Sequence, residues 1–265
     1  MTNLEDTAPE PIQDRLQPLA DGKFRFDCHP SVPCFTECCR CLNLLLTPYD
    51  IVRLKNRLNM PSGEFLDRHG KIRFDEQRRL PMVTLRMQDN ERKTCPFVAA
   101  SGCQVYEDRP AACRIYPVAR ASRKHRLHGT VLENFFLLRE DHCRGFEEEK
   151  EWTIEAWTAD QGLERYHEMN NLWMEVITHP RLQQGSTPTP KQQQMFLLAG
   201  YNIDKFREFV LCTRFLQIFV LPEQEEKALR EDDEALLRLA FRWLKFSLFN
   251  EPALTMREQP AEQPG

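Results

Sequence analysis

Apolar positions three and four residues apart dominate the second half of the chain and appear only in short stretches of the first. In that first half, Ile51, Leu54 and Leu58 share one face of a predicted helix. Thr47 is placed to cap it, Pro48 suits its first position, and Asp50 complements the positive end of its dipole. Ser62 is placed to cap a short second helix ending at Gly70. Residues 81–87 alternate as a strand does, with Met82 or Val83 turned inward, and residues 126–138 hold strand-like material in Val131 and Phe135 to Leu138. After residue 150 the period becomes helical. Thr158 with Gln161 reads as a capping box opening a helix through Leu172, Trp173 and Val176, and Thr189-Pro190 with Gln192 repeats the signal. Residues 204–219 space Phe206, Phe209, Val210, Thr213 and Leu216 on one face, and residues 222–249 do the same with Leu229, Leu236, Leu239, Ala240, Trp243 and Leu244. Such aromatic stripes at helical spacing need no cofactor to explain them, because core faces carry the same pattern.

These elements predict an α+β protein. A small antiparallel sheet with short helices forms a cysteine-rich metal-binding half, and a mainly helical C-terminal half follows. The tails, 1–25 and 250–265, are rich in Pro, Glu and Gln and are expected to be disordered. Between them lie residues 26–150 and a helical extension over 151–249, divided by the charged run Glu147 to Glu151. A hydrophobic content of 41% with 29% charged residues allows a real core, and a net charge of −4 gives no general pull toward nucleic acid. No run of about 18 apolar residues is present, which excludes a spanning helix.

The cysteines change this picture most. Eight of the ten fall in two blocks, Cys28, Cys34, Cys38 and Cys39, then Cys95, Cys103, Cys113 and Cys143. The N-terminal residues show no basic start, apolar stretch or small-residue cleavage site, so the chain is expected in the cytoplasm. Reducing conditions there favour metal binding over disulfides. Cys38 and Cys39 are adjacent, and one mononuclear ion would use both with strain. The pair therefore favours a polynuclear cluster or two ions that divide it: eight ligands for two metals, or four for one iron-sulfur cluster with others nearby. Cys95 and Cys103 flank a predicted hairpin turn, and Asp108 is placed to cap a short helix carrying Cys113. Arg109 and Arg114 either offset thiolate charge or sit solvated at the surface. His29 and His142 adjoin ligand candidates and are possible replacements for a sulfur. Cys212 lies in an apolar run and is expected in the core, and Cys41 is assigned as a spare thiol.

The order Cys28, Cys34-x3-Cys38-Cys39, then Leu46-Thr47-Pro48-Tyr49-Asp50-Ile51, then Cys95-Pro96-Phe97, Gly102-Cys103-Gln104-Val105-Tyr106-Glu107-Asp108-Arg109-Pro110-x2-Cys113-Arg114-x-Tyr116-Pro117 resembles the CxxCxxCC cysteine-cluster family. The resemblance covers residues 26–146 and implies a domain that chelates zinc or iron. The first block is spaced more widely here than in the family pattern. Some relatives are flagellin lysine N-methylases with an iron-sulfur cluster, so an iron-sulfur-dependent enzyme of that kind is an alternative. No glycine-rich loop for a nucleotide or S-adenosylmethionine accompanies it, and the catalytic residues of such an enzyme are not identifiable. A third alternative is a metal-stabilised binding module. Arg109, Arg114, Arg120, Arg123, Lys124 and Arg126 lie in a stretch without acidic residues, but Ser122 to Arg126 reads as a solvated hairpin tip, which makes nucleic acid an unlikely partner.

Overall fold

The computed structural model describes residues 15–19, 21–124 and 130–257. Residues 1–14 and 258–265 of the two expected tails, and residues 125–129 of the expected hairpin tip, lie outside the described residues. The described chain is 46% helical and 20% strand, an α+β protein with small antiparallel sheets. Strands β1 (Leu16–Pro18), β2 (Lys23–Arg25) and β3 (Leu45–Leu46) precede helices α1 (Pro48–Arg57) and α2 (Ser62–His69). Strands β4 (Gly70–Asp75), β5 (Leu80–Leu85), β6 (Val98–Ala99) and β7 (Gly102–Cys103) lead to α3 (Ala111–Ile115), β8 (Val118–Lys124), β9 (Val131–Leu138) and β10 (Glu151–Thr153). The helical half comprises α4 (Ile154–Asp160), α5 (Glu164–Ile177), α6 (Pro180–Gln183), α7 (Pro190–Tyr201), α8 (Ile203–Cys212) and α9 (Phe215–Ile218). Strand β11 (Phe219–Val220), α10 (Glu223–Ala228), α11 (Asp233–Phe249) and β12 (Thr255–Met256) complete it. β1, β2 and β12 fall within the stretches expected as tails. Each gains its partner from elsewhere in the chain: β1 pairs β9, β2 pairs β10 and β12 pairs β11.

The largest core is shared across residue 150. Leu46, Tyr49, Leu54, Phe65 and Val83 from the first half pack in the same apolar cluster as Trp173, Phe196, Phe206, Leu239 and Leu244 from the second. Trp173 stands at its centre, 5.0 Å from the Phe196 ring and 5.4 Å from Phe241. β5 lies between β3 and β4 and is buried along its whole length, so Met82 and Val83 both face apolar neighbours where the sequence suggested one. A smaller core joins Phe24, Phe26, Val118, Leu137, Trp152, Trp157 and Leu163. It fastens the first cysteine segment to β8, β9 and α4.

Thr189 and Gln192 form the capping box of α7 that their spacing predicts, and Thr47 caps α1 as expected, with Asp50 completing a capping box beyond the dipole role read for it. Other caps differ. Ser62 is the first residue of α2, behind Pro61, and its hydroxyl accepts from the Asp204 amide while Asp204 accepts from the Ser62 amide. The two helix starts thus cap each other across the core. Thr158 lies inside α4, which Thr153 caps, and Gln161 instead engages Arg109. The long periodic segments are also interrupted. Thr213 takes an extended conformation after α8, its hydroxyl bonded to the Phe209 carbonyl and the Phe215 amide, and Asp232 starts α11 afresh.

Candidate metal centre

The first cysteine block is built from successive tight turns. The amides of Val32, Phe35, Glu37 and Cys39 donate to carbonyls three residues earlier, those of His29, Val32, Cys34 and Thr36, and the last of these turns is a 3-10 turn over Glu37–Cys39. Without a long helix, Cys34, Cys38 and Cys39 can turn inward on a short radius. The second block is laced directly to the first. The Cys95 amide donates to the Cys39 carbonyl at 2.8 Å, the Cys41 amide to Lys93 at 3.0 Å, and Arg40 bridges Thr94. β6 and β7 then pair Val98 with Cys103. Gly102 is required twice in that hairpin: its φ is +113°, and a Cβ there would come within 3.2 Å of the Phe35 ring from the first block.

Cys113 rides on α3. The helix start is not capped by Asp108, which accepts instead from Arg53 Nε at 2.9 Å. Buried Asp50 supplies the cap from α1, its carboxylate accepting from the Ala111 amide at 2.8 Å while its other oxygen accepts from Thr47. Cys143 arrives from the loop after β9. The Asp27 amide donates to the Gly145 carbonyl at 3.0 Å, and the Arg144 amide donates to the Cys34 sulfur at 3.0 Å.

Cys28 senses Cys34 and Cys143, while Cys113 senses Cys95 and Cys103, and Cys38 acts on both. The neighbouring Cys39 thiol, with burial second, pushes the Cys38 thiol well above its ordinary value. Burial pushes Cys95 up to about 11 and Cys28 up to about 12, with the neighbouring thiols adding to it. Burial likewise raises Cys103 and Cys143. Working against this, the backbone at Phe97 and Val98 lowers Cys95, that at Val105 lowers Cys103 and that at Gly145 lowers Cys143. Backbone hydrogen bonding to sulfur favours thiolate. Among the described residues, no group of three or more His, Cys, Asp or Glu side chains is already spaced to hold an ion. The donor set fits a soft or borderline metal nonetheless, since its side chains are thiols backed by amides.

Arg109 and Arg114 are both buried, which excludes the solvated reading. Arg109 stacks over Tyr106, 3.7 Å from its ring centre, and bonds Gln161, and its charge reaches Cys103 and Cys113. Arg114 bonds the Gln161 and Glu107 carbonyls. Arg109 places fixed positive charge beside the second block, while Arg114 lies over the Tyr166 ring, 4.9 Å from its centre. His29 stands 3.5 Å from Glu148 and His142 3.6 Å from Glu140, so each ring faces a carboxylate.

Two thiols stand apart. Cys41 is exposed and directed to the Arg92 carbonyl. Cys212 is also exposed, against the core expected for it, because α8 buries Ile203, Phe206 and Val210 and position 212 falls on the opposite side. The sequence reading missed Asp50 as a partner of α3 and Tyr116 as a neighbour of Cys143. Each pairing spans a distance in the chain that only folding closes, although both residues sit in motifs already singled out.

Among the described residues no helix is long and apolar enough to cross a membrane. Comparison with curated proteins gives no match, and comparison with solved structures gives none. Residues 27–157, which contain all eight clustered thiols, match a family model described as "CxxCxxCC: Putative zinc- or iron-chelating domain". That segment is similar to the CxxCxxCC family.

Proposed function

We propose that the chain holds zinc or iron on two adjacent four-thiolate groups that divide the vicinal pair. Cys28, Cys34 and Cys143 make up the first, and Cys95, Cys103 and Cys113 the second, with Cys38 and Cys39 completing them. The observation that supports this reading is the place of Cys38 in the chain fold, near enough to influence the titration of Cys28 and Cys143 as well as that of Cys95, Cys103 and Cys113. A lone four-sulfur site would leave about four of these thiols without a task. Four thiolates around a divalent ion carry a formal excess of two negative charges, and Arg109 lies where it offsets part of that charge. Chelation requires the thiols to give up their protons, which the backbone beside the sulfurs assists. All ten cysteines are free, in keeping with a reducing compartment such as the cytosol.

The test is elemental analysis with an optical spectrum on protein purified without oxygen. Visible absorbance with iron and labile sulfide marks clusters, and a colourless protein with about two zinc ions per chain marks mononuclear sites. Cys38→Ser is expected to lower metal content to half or less, while Cys41→Ser and Cys212→Ser leave it unchanged. Equal loss in all three variants would refute the sorting of ligands from bystanders.

A further inference from the structure

β4 is the outer strand of the sheet in which β5 lies between β3 and β4, and it is hydrogen-bonded to β5 alone. Its side chains alternate in kind. Lys71 and Arg73 fall opposite Thr84 and Met82, on the side where Met82 meets the Tyr201 hydroxyl of α7, and Ile72 and Phe74 fall opposite Val83 and Pro81. Whereas β5 is buried throughout, Ile72 is 58% exposed and Phe74 53% exposed. The backbone is open along the same edge. The Arg86 amide donates to the His69 carbonyl at 2.7 Å, and residues 70–75 continue that antiparallel register against residues 85–80. Antiparallel partners alternate between bonded and unbonded pairs, so Lys71, Arg73 and Asp75 bond β5 while the amides and carbonyls of Ile72 and Phe74 point away from it. Among the described residues no strand receives them.

The charges decide what suits this edge. Lys71 and Arg73 pair with no carboxylate among the described residues, and Asp75 is already held by Arg78, whose amide donates to it at 2.8 Å. A second copy of the chain fits poorly: antiparallel pairing centred on Ile72 sets Lys71 opposite Arg73, and pairing centred on Arg73 sets that residue opposite itself. Like charges directly opposite each other destabilise paired strands, and opposite charges stabilise them. We propose that β4 is a docking edge for an extended segment of another protein in which carboxylates alternate with apolar side chains. The segment adds a fourth strand to the sheet. Its backbone bonds Ile72 and Phe74, its apolar residues cover those two side chains, and its carboxylates pair with Lys71 and Arg73. No thiol takes part, so the proposal stands apart from the metal reading.

The test titrates the full chain into a fluorescein-labelled peptide of alternating valine and glutamate and follows its anisotropy, with lysine in place of glutamate in the control peptide. Saturable binding of the acidic peptide is expected, roughly 10-fold or more tighter than that of the lysine peptide, because two cross-strand charge pairs change sign. The double variant Lys71→Glu, Arg73→Glu should reverse that preference. Phe74→Pro removes an outward amide that β5 does not use, and it should abolish binding while circular dichroism stays unchanged. If Phe74→Pro does not fold, the reversal in the charge variant decides alone. No saturable binding of the acidic peptide, equal binding of the two peptides, or binding that survives Phe74→Pro overturns the proposal. So does a wild-type dimer by light scattering that becomes a monomer in Phe74→Pro, since a second copy then covers the edge.

Discussion

A carboxylate only 1% exposed, as Asp50 is, keeps its place because backbone amides and a hydroxyl surround it. Burial pushes its proton affinity up, while the Ala111 and Thr47 amides and Arg114 pull the other way. One side chain thereby completes the capping box of α1 and caps α3, tying a core helix to the helix that carries Cys113. Asp50→Ala removes the acceptor of two part-buried amides and is expected to cost about 2 kcal/mol in a urea titration, the sum of two unsatisfied groups. Asp50→Asn keeps one acceptor oxygen and should lose less. A loss under about 0.5 kcal/mol in Asp50→Ala would show that the double cap contributes little. The cap on α1 was legible in the sequence because it is made within three residues. The cap on α3 spans from residue 50 to residue 111 and was credited to Asp108, which is nearer in the chain but held by Arg53.

At the scale of elements, the paired starts of α2 and α8 show how helix ends are satisfied across a core. Burial raises the Asp204 carboxyl, but the Ser62 amide and hydroxyl together with Lys55 outweigh it, so its pKa falls below the ordinary carboxylate value. A depressed pKa means that the stabilisation is present above pH 4 and is lost as the pH falls through the lowered value. Asp204→Asn should therefore flatten the acid side of the stability curve below pH 4 while lowering stability at pH 7 by about 1 kcal/mol, as expected for a partly exposed paired group. Thermal melts from pH 2.5 to 7 check this, and parallel curves for the two proteins would show that Asp204 is not the responsible group. α1 and α7 were readable because their caps are local. The breaks at Thr213 and before Asp232 were not, since the apolar period runs through both and only the packing of α9 and β11 against α8 and α11 turns the chain.

Across the whole molecule, the cysteine segments differ from what they lean on. α1, α2 and β5 share one core with α5, α7, α8 and α11, so this body is held by apolar burial. The loops at 27–43, 92–105 and 139–150 contain mostly turns and short bridges, and their ordering depends on one another and, in the proposed function, on metal. Hydrogen exchange on chelated protein is expected to rise by an order of magnitude or more in those loops and little in α1, α7 and α11. Uniform protection before and after chelation would count against a structural metal.

The sequence by itself determined the α+β class, the Thr47 cap of α1 and the capping box of α7, because hydrophobic period and cap chemistry are local properties. Only the tertiary structure decided that Cys212 faces solvent and that Arg109 and Arg114 are buried. These are outcomes of chain segments separated by tens of residues meeting face to face. Spacing along the chain limits which neighbours are possible, but packing across it selects among them.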